Sequence, residues 1–549
     1  MIKDSMNSDS LWYKDAIFYE LNVRAFRDST GDGNGDLQGT IKKLDYLRDL
    51  GVDCIWLLPI FPSPLKDDGY DVSDYCNIHP DFGTLDDFKE LIHEAHSRGM
   101  RIITDLVLNH SSEEHPWFQE ARRKLDSPYH DYYVWSETDT KYSQARIIFT
   151  DSESSNWAWD DLAQKYYWHR FFSSQPDLNY DNPAVRQEML EVMKFWLDLG
   201  IDGFRADAIP YLYEREDSNS ENLKETHQFL KEARKFIDKS YPGCVLLSEV
   251  NQWPEEVLPY FGDGDEIQMA FHFPLMPRVF MALRKESGEA IRGILDRTPP
   301  IPENSQWCLF LRNHDELTLE MVTEEEREWM WQEYAPDKRM RLNLGIRRRL
   351  APLLDNNIDK IRLAYSLLFT LPGAPIIYYG DEIGMGDNIW LHDRNGVRTP
   401  MQWTTGKNAG FSESAAEELY SPVIENSGYA PADVNVSTQL KNSDSLFHSV
   451  KKMISTRKKH ELFSSGSFHW VSENGADPVI SYLRRSDKED VLVLNNLAAT
   501  QKRVEIALER HGSYSVAEEM LGAVNSLEIK VSLLKATLAP HGFVWLKIN

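Results

Sequence analysis

Short apolar runs recur along the chain between stretches of helical period. Residues 16–26 (AIFYELNVRAF) read as a first strand. An amphipathic stretch at 37–50 leads to CIWLLPI at 54–60, and another at 85–98 leads to RIITDLVL at 101–108. Later runs fall at 203–209, 244–250, 269–275, 307–311 and 375–379. Strand-then-helix alternation means parallel strands with crossover helices. Eight such strands predict a closed (β/α)8 barrel of the α/β class rather than an open sheet. An open, doubly wound sheet would carry a Gly-rich phosphate turn after its first strand. The glycines after Phe26 are interleaved with acids instead.

The rhythm breaks twice. A Trp/Tyr/His-rich stretch at 109–180 stands where the third strand-to-helix loop belongs, so it reads as a subdomain inserted over the barrel mouth. From 463 onward the pattern becomes short alternating strands (SFHWV, PVISYLRR, DVLVLNNL, GFVWLKI), a small antiparallel β-sandwich. The barrel would then comprise 1–108 and 181–462, closing with a helix at 445–459. The charged stretch 324–349 is read as a solvated helical face, with an insertion beside the site as the alternative.

Composition narrows the partners. The 549 residues exceed what one core supports. The formal charge of -27 repels phosphate backbones and anionic lipid, which argues against nucleic-acid and membrane partners. A neutral small molecule meets no such barrier. Cys54, Cys76, Cys244 and Cys308 form no CxxC pair; three of them begin or enter apolar runs and read as free thiols of a reducing compartment. With no apolar signal core in the polar N-terminal fifteen residues, a cytoplasmic protein is expected. Oligomeric state is not legible, so a homo-oligomer stays open.

Barrel enzymes do chemistry at the C-terminal ends of their strands. Three acids fall there: Asp207 in GFRADAI, Glu249 in CVLLSEV, and Asp315 in RNHDE. An acid closing an apolar strand is expensive to bury unless paired or functional. Each alone is more simply a salt-bridged carboxylate, and Arg205 points the same way as Asp207. Three on three strands suggest glycoside cleavage with retention, in which one carboxylate attacks and another donates a proton. Arg205 would keep Asp207 ionised, and the charges of Asp207 and Asp315 would hold a proton on Glu249.

The strings DLVLNH, GFRADA, LLSEV and RNHDE resemble those of the α-amylase superfamily. The resemblance implies Asp207 as nucleophile, Glu249 as acid/base and Asp315 as transition-state stabiliser. It implies substrate contacts at Asp67, Tyr70, His110, Arg205, His314 and Arg398. Longer stretches, among them WYKDAIFYELNVRAF, NQWPEEVLPYFGDGDE and LRNHDELTLEMVT, are similar to the trehalose synthases, which interconvert maltose and trehalose. Ala206 and Ser248 depart from that pattern, where a larger apolar residue and alanine are usual. The implied reaction is an isomerisation with minor hydrolysis: the glucose released from maltose stays trapped, turns and attacks again. Tyr213, Asn251 and Glu320 would gate the acceptor side. The alternatives are a hydrolytic α-glucosidase or amylase, another α-glucosyltransferase such as a sucrose-acting one, and a non-catalytic binding subunit.

Two cation sites are expected, and no organic cofactor. Asp28, Thr30, Asp32, Asn34 and Asp36 alternate through DSTGDGNGD, a loop able to wrap Ca²⁺ or Mg²⁺. Gly39, at the twelfth position, rules out an EF-hand. The family resemblance implies a structural Ca²⁺ at Asn109, Asp177 and Glu214 with the carbonyls of Tyr211 and Leu212.

Overall fold

The computed structural model describes residues 8–472, 474–522 and 524–549; residues 1–7 of the polar N-terminal stretch lie outside them. Eight parallel strands close into a barrel: β1 (Phe18–Leu21), β2 (Cys54–Leu57), β3 (Arg101–Val107), β4 (Gly203–Asp207), β5 (Val245–Ser248), β6 (Met269–Phe271), β7 (Gln306–Phe310) and β8 (Ala374–Tyr378). Each pairs with its sequence neighbours, and β8 returns to β1 through Phe18↔Ile376. Every barrel strand is buried along its length save Arg101, because crossover helices cover the outside.

The sequence patterning set the elements but overran their ends. The first run is strand only to Leu21; Val23–Phe26 turns helical. The strand in CVLLSEV stops at Ser248, which leaves Glu249 just past the rim. The stretch 37–50 forms two helices, Leu37–Ile41 and Leu44–Leu50. Helix Leu85–Ser97 starts at a capping box in which Thr84 and Asp87 satisfy each other's backbone N–H groups. Gly203 opens β4 at φ +146°, and a Cβ there would meet the Val245 carbonyl at 2.2 Å, so only glycine lets β4 and β5 approach.

After β3, a three-stranded antiparallel sheet (Trp135–Ser136, Lys165–Trp168, Trp157–Asp160) rises from the barrel. Bridges His110↔Asp177 and Tyr133↔Leu178 close its base. Only part of 324–349 is a solvated helix. Glu324–Tyr334 is that helix, whereas Arg341–Leu342 and Gly345–Ile346 form a small sheet with Leu317–Thr318 next to the site. Arg349 there is fully buried, held by the Tyr379 carbonyl and Asp381, so the sequence expectation is corrected.

The C-terminal strands begin at Ser467, after a helical turn at Leu462–Ser465, and form antiparallel sheets of five and three strands. They dock on helix Ile358–Thr370, where Trp545 and Asn495 both bond the Ser366 hydroxyl. All four cysteines are free thiols. Among the described residues no helix is long and apolar enough to cross a membrane.

Candidate active site

The strand ends and following loops bring Asp67, Tyr70, His110, Asp207, Glu249 and Asp315 around one cavity of about 110 Å³. Arg205, two residues before Asp207, projects to the same side of β4 and reaches three carboxylates. Its Nη1 meets Asp105 Oδ1 at 2.6 Å and also Asp207 Oδ1, and its Nη2 meets Glu249 Oε2 at 3.0 Å. Ala208 then takes φ +52°, rare for a residue with a side chain, and aims its N–H at Glu249 Oε2, 3.2 Å away.

One guanidinium cannot keep two buried carboxylates and a partly buried third all ionised. Burial pushes Asp207 up to about 6 against the pull of Arg205. Burial also lifts Glu249 to about 7; Arg205 opposes this, and the charges of Asp207 and Asp315 add to it. The sequence expectation needs correction on cause: desolvation leads at both acids, and Arg205 moderates it.

Asp315 sits in the opposite field. His314 Nε2 lies 3.1 Å from one oxygen; Arg394 and Arg398 lie 2.9 and 3.0 Å from the other. These cations overcome burial and hold Asp315 well below the usual carboxylate range. His314 in turn, despite burial, is raised to about 9 by Asp315 and Glu20, whose Oε1 is 2.5 Å from Nδ1. Tyr70 stacks on the His314 ring at 5.3 Å and shares a hydrogen bond with Nε2. His110 is the contrasting imidazole: burial drives it down to about 3, so it stays neutral.

Arg394 escaped the sequence reading, which stopped at Arg398. It joins Asp67 Oδ1 at 2.7 Å to Asp315 Oδ1 at 2.9 Å and walls off one end of the cavity beside Phe149. Asp67, with Gln175 on its other oxygen, is raised by burial to about 7 against Arg394 and Arg398. A loop arginine carries no periodic signal. Glu20 did carry one, an acid inside the apolar strand FYEL, the same signal that marked Asp207.

At the other end, Arg146 of the inserted subdomain bridges Glu320 Oε2 and Glu221 Oε1, both at 2.8 Å, and donates to the Tyr211 hydroxyl at 3.0 Å. Of the three expected gate residues, Glu320 and Asn251 line the cavity. Tyr213 does not. Its ring packs on Tyr180 and under Arg215, away from the cavity, and Tyr211 presents the aromatic side chain instead.

The expected cation positions differ in character. Asn109 Oδ1, Asp177 Oδ2 and Glu214 Oε1 are buried without a partner. Burial raises Asp177 to about 8 and Glu214 well up, each lacking a nearby compensating charge strong enough to hold it ionised. In the 28–36 loop the carboxylates are already used. Asp28 accepts the N–H groups of Thr30, Gly31 and Gly33 and the Ser412 hydroxyl, and Asp36 accepts Ser29 and Gly39. Asp32 is exposed, and Asn34 bonds Arg24. Among the described residues no three His, Cys, Asp or Glu side chains gather as a cage.

A closed parallel barrel with three acids at its mouth, split by their surroundings into ionised and protonated groups, defines a carbohydrate-cleaving class. Family models agree with that reading: one for the alpha amylase catalytic domain matches residues 21–466, and one for the maltogenic amylase C-terminal domain matches 469–545. The chain belongs to the α-amylase family. It is 54% identical over 559 residues to a trehalose synthase/amylase of Mycolicibacterium smegmatis, covering 99% of this chain and 94% of that one. It is 52% identical to a trehalose synthase of Pimelobacter sp., covering 98% and 96%. Among solved structures, an alpha-amylase from H. orenii superposes with a TM-score of 0.80 at 31% identity, covering 98% of this chain and 100% of that one.

Proposed function

We propose that the chain interconverts maltose and trehalose by double displacement, with minor hydrolysis to glucose. The observation that carries this is the small cavity at the barrel mouth, with its acids sorted by environment. Asp207, mostly ionised at neutral pH, attacks the anomeric carbon. Glu249, holding its proton up to about 7, protonates the departing glucose oxygen. Retention asks for this pair about 5–5.5 Å apart, and the shared Arg205 guanidinium keeps both on one side of one small space. Asp315, fixed as an anion by three cations, faces the positive charge of an oxocarbenium-like transition state. His110 Nε2 and Asn251 Oδ1 are buried without partners and suit sugar hydroxyls.

A confined site favours transfer over hydrolysis. At about 110 Å³ the cavity lies below the ~300 Å³ at which small-molecule pockets begin. A bound disaccharide would need more room than this. The partly exposed Arg146–Glu320 contact at one end is where the site would give and then re-form to keep water from the released glucose. The high identity to proteins named trehalose synthases supports the same reading. A proton NMR time course with maltose alone tests it: the trehalose anomeric signal should appear with little free glucose, and glucose alone would sink the isomerase reading.

The same reading makes the partner a neutral disaccharide and, with four free thiols, the setting cytoplasmic. The orphaned oxygens of Asn109, Asp177 and Glu214 fit a structural Ca²⁺, with the carbonyls of Tyr211 and Leu212 able to complete an all-oxygen shell. Bound there, the ion would neutralise two buried acids and tie the insertion to the barrel. Chelation should lower the melting temperature and added Ca²⁺ should restore it; an unchanged melting curve would remove the ion. A second cation, Ca²⁺ or Mg²⁺, at Asp28, Thr30, Asp32, Asn34 and Asp36 would share carboxylate oxygens that already accept the loop's own N–H groups.

A further inference from the structure

Behind the wall of Arg394 and Phe149 lies a second cavity, larger than the first at about 630 Å³. Phe149 lines both, and Arg398 reaches the second from the wall between them. Its size falls among small-molecule sites of ~300–1,000 Å³. Its walls alternate aromatic faces (Phe149, Phe172, Tyr420) with groups that bond hydroxyls (Asn343, Arg341, His392). Arg341 gives its Nε–H to the Ala335 carbonyl, which leaves its two Nη groups as donors.

One residue before the lining pair Leu391 and His392 stands Trp390, 70% exposed, which the chain therefore holds next to the rim. The Arg339 guanidinium lies 3.7 Å from its ring centroid and backs one face. An indole held on one side and bare on the other is a platform for the apolar C–H face of a pyranose.

Most of the charges that line this cavity are already engaged, while Arg341 keeps its Nη groups for a hydroxyl. Arg347 donates to the carbonyls of Leu391, Ile389 and Asp393, and Lys66 pairs with Glu113 at 2.6 Å. An anion would find these cations engaged. The acids are engaged as well: Asp68 faces Arg24 and Arg398, Asp393 faces Arg394, and Asp151 accepts the Asn343 N–H. None is poised as a proton donor.

We propose that this cavity, with Trp390 at its rim, is a second α-glucoside-binding site that holds a maltose-sized sugar without reacting it. The inference rests on the reading of the chain as an α-glucoside enzyme. The two sites would be filled independently, with the Arg394–Asp67 bridge keeping the bound sugars apart.

The test is calorimetric titration of maltose into the Asp207→Asn protein, in which the sugar is not turned over. Two binding events are expected. Adding Trp390→Ala, or His392→Ala should the first variant not fold, should weaken one of them by about tenfold and leave the other in place. In the otherwise unaltered enzyme, Trp390→Ala should leave kcat on maltose unchanged. A single event that neither variant moves would overturn the second site while preserving the α-glucoside reading. No binding at all would overturn both.

Discussion

Two groups of arginines are equally hidden in this protein and do opposite things. Arg205, Arg394 and Arg398 at the barrel mouth, and Arg457 and Arg484 beneath the C-terminal domain, are all 5% exposed or less. The first group faces carboxylates. The second faces carbonyls: Arg457 bonds those of Phe369 and Gly373, and Arg484 those of Thr370 and Gly466. Phe369 and Thr370 end helix Ile358–Thr370, where the backbone presents its partial negative charge. Without a paired acid, burial lowers Arg457 to about 10 and Arg484 to about 9. A guanidinium on carbonyls is a staple. A guanidinium on carboxylates moderates the proton affinity that burial gives them, and the resulting protonation pattern is what chemistry can use.

The sharpest way to break the comparison is to neutralise one acid at the mouth. Asp207→Asn should lower maltose turnover by roughly 10⁴-fold or more with the circular dichroism spectrum intact. Turnover within tenfold of the parent would remove Asp207 as nucleophile. The matching change at the other end is Arg457→Ala. It strips two charge-assisted hydrogen bonds from a buried helix end, so stability should fall by about 2–4 kcal/mol. Turnover of the folded fraction should stay within a few-fold. A large loss of kcat at unchanged urea midpoint would mean that the staple also tunes the site.

The pH profile probes the mouth without mutation. Asp207 must be ionised, so kcat/KM should rise as pH climbs through about 6. Glu249 must be protonated, so it should fall again above about 7. The result is a narrow bell with an optimum between those values, falling about tenfold per pH unit on either side. The limbs belong to the interacting pair rather than to either acid alone. A flat profile from pH 5 to 9 would contradict the protonation pattern.

Much of this was legible before the structure. Periodicity marks all eight barrel strands, because parallel strands buried on both faces read as unbroken apolar runs. Acids that end such runs stand out against them, and Asp207, Glu249 and Asp315 were found that way. What patterning misses is whatever loops deliver. Arg394 and Arg146 reach the cavity from irregular segments far from the acids they contact, and no spacing rule links position 394 to 67 or 146 to 320. Tyr211 and Tyr213 show the limit at finer grain. Alternate residues in YLYE look equivalent in sequence, yet the turn after β4 sends only Tyr211 into the cavity.

Arg146 is an intermediate case between the two groups, and the smallest expected effect lies there. It faces carboxylates as the mouth arginines do, yet its side chain is 35% exposed and it spans two parts of the fold. Such a bridge holds less tightly than a buried one, because solvent screens it. Glu320→Ala removes one anchor while Glu221 and the Tyr211 hydroxyl keep the other contacts. The cavity should still form but leak, admitting water while the released glucose turns. Free glucose should rise a few-fold relative to trehalose, with total consumption of maltose little changed. The ratio is measured directly from the anomeric signals of the same NMR time course. An unchanged ratio would show that Glu320 does not help keep water out, and would shift the seal onto Arg146 with Glu221.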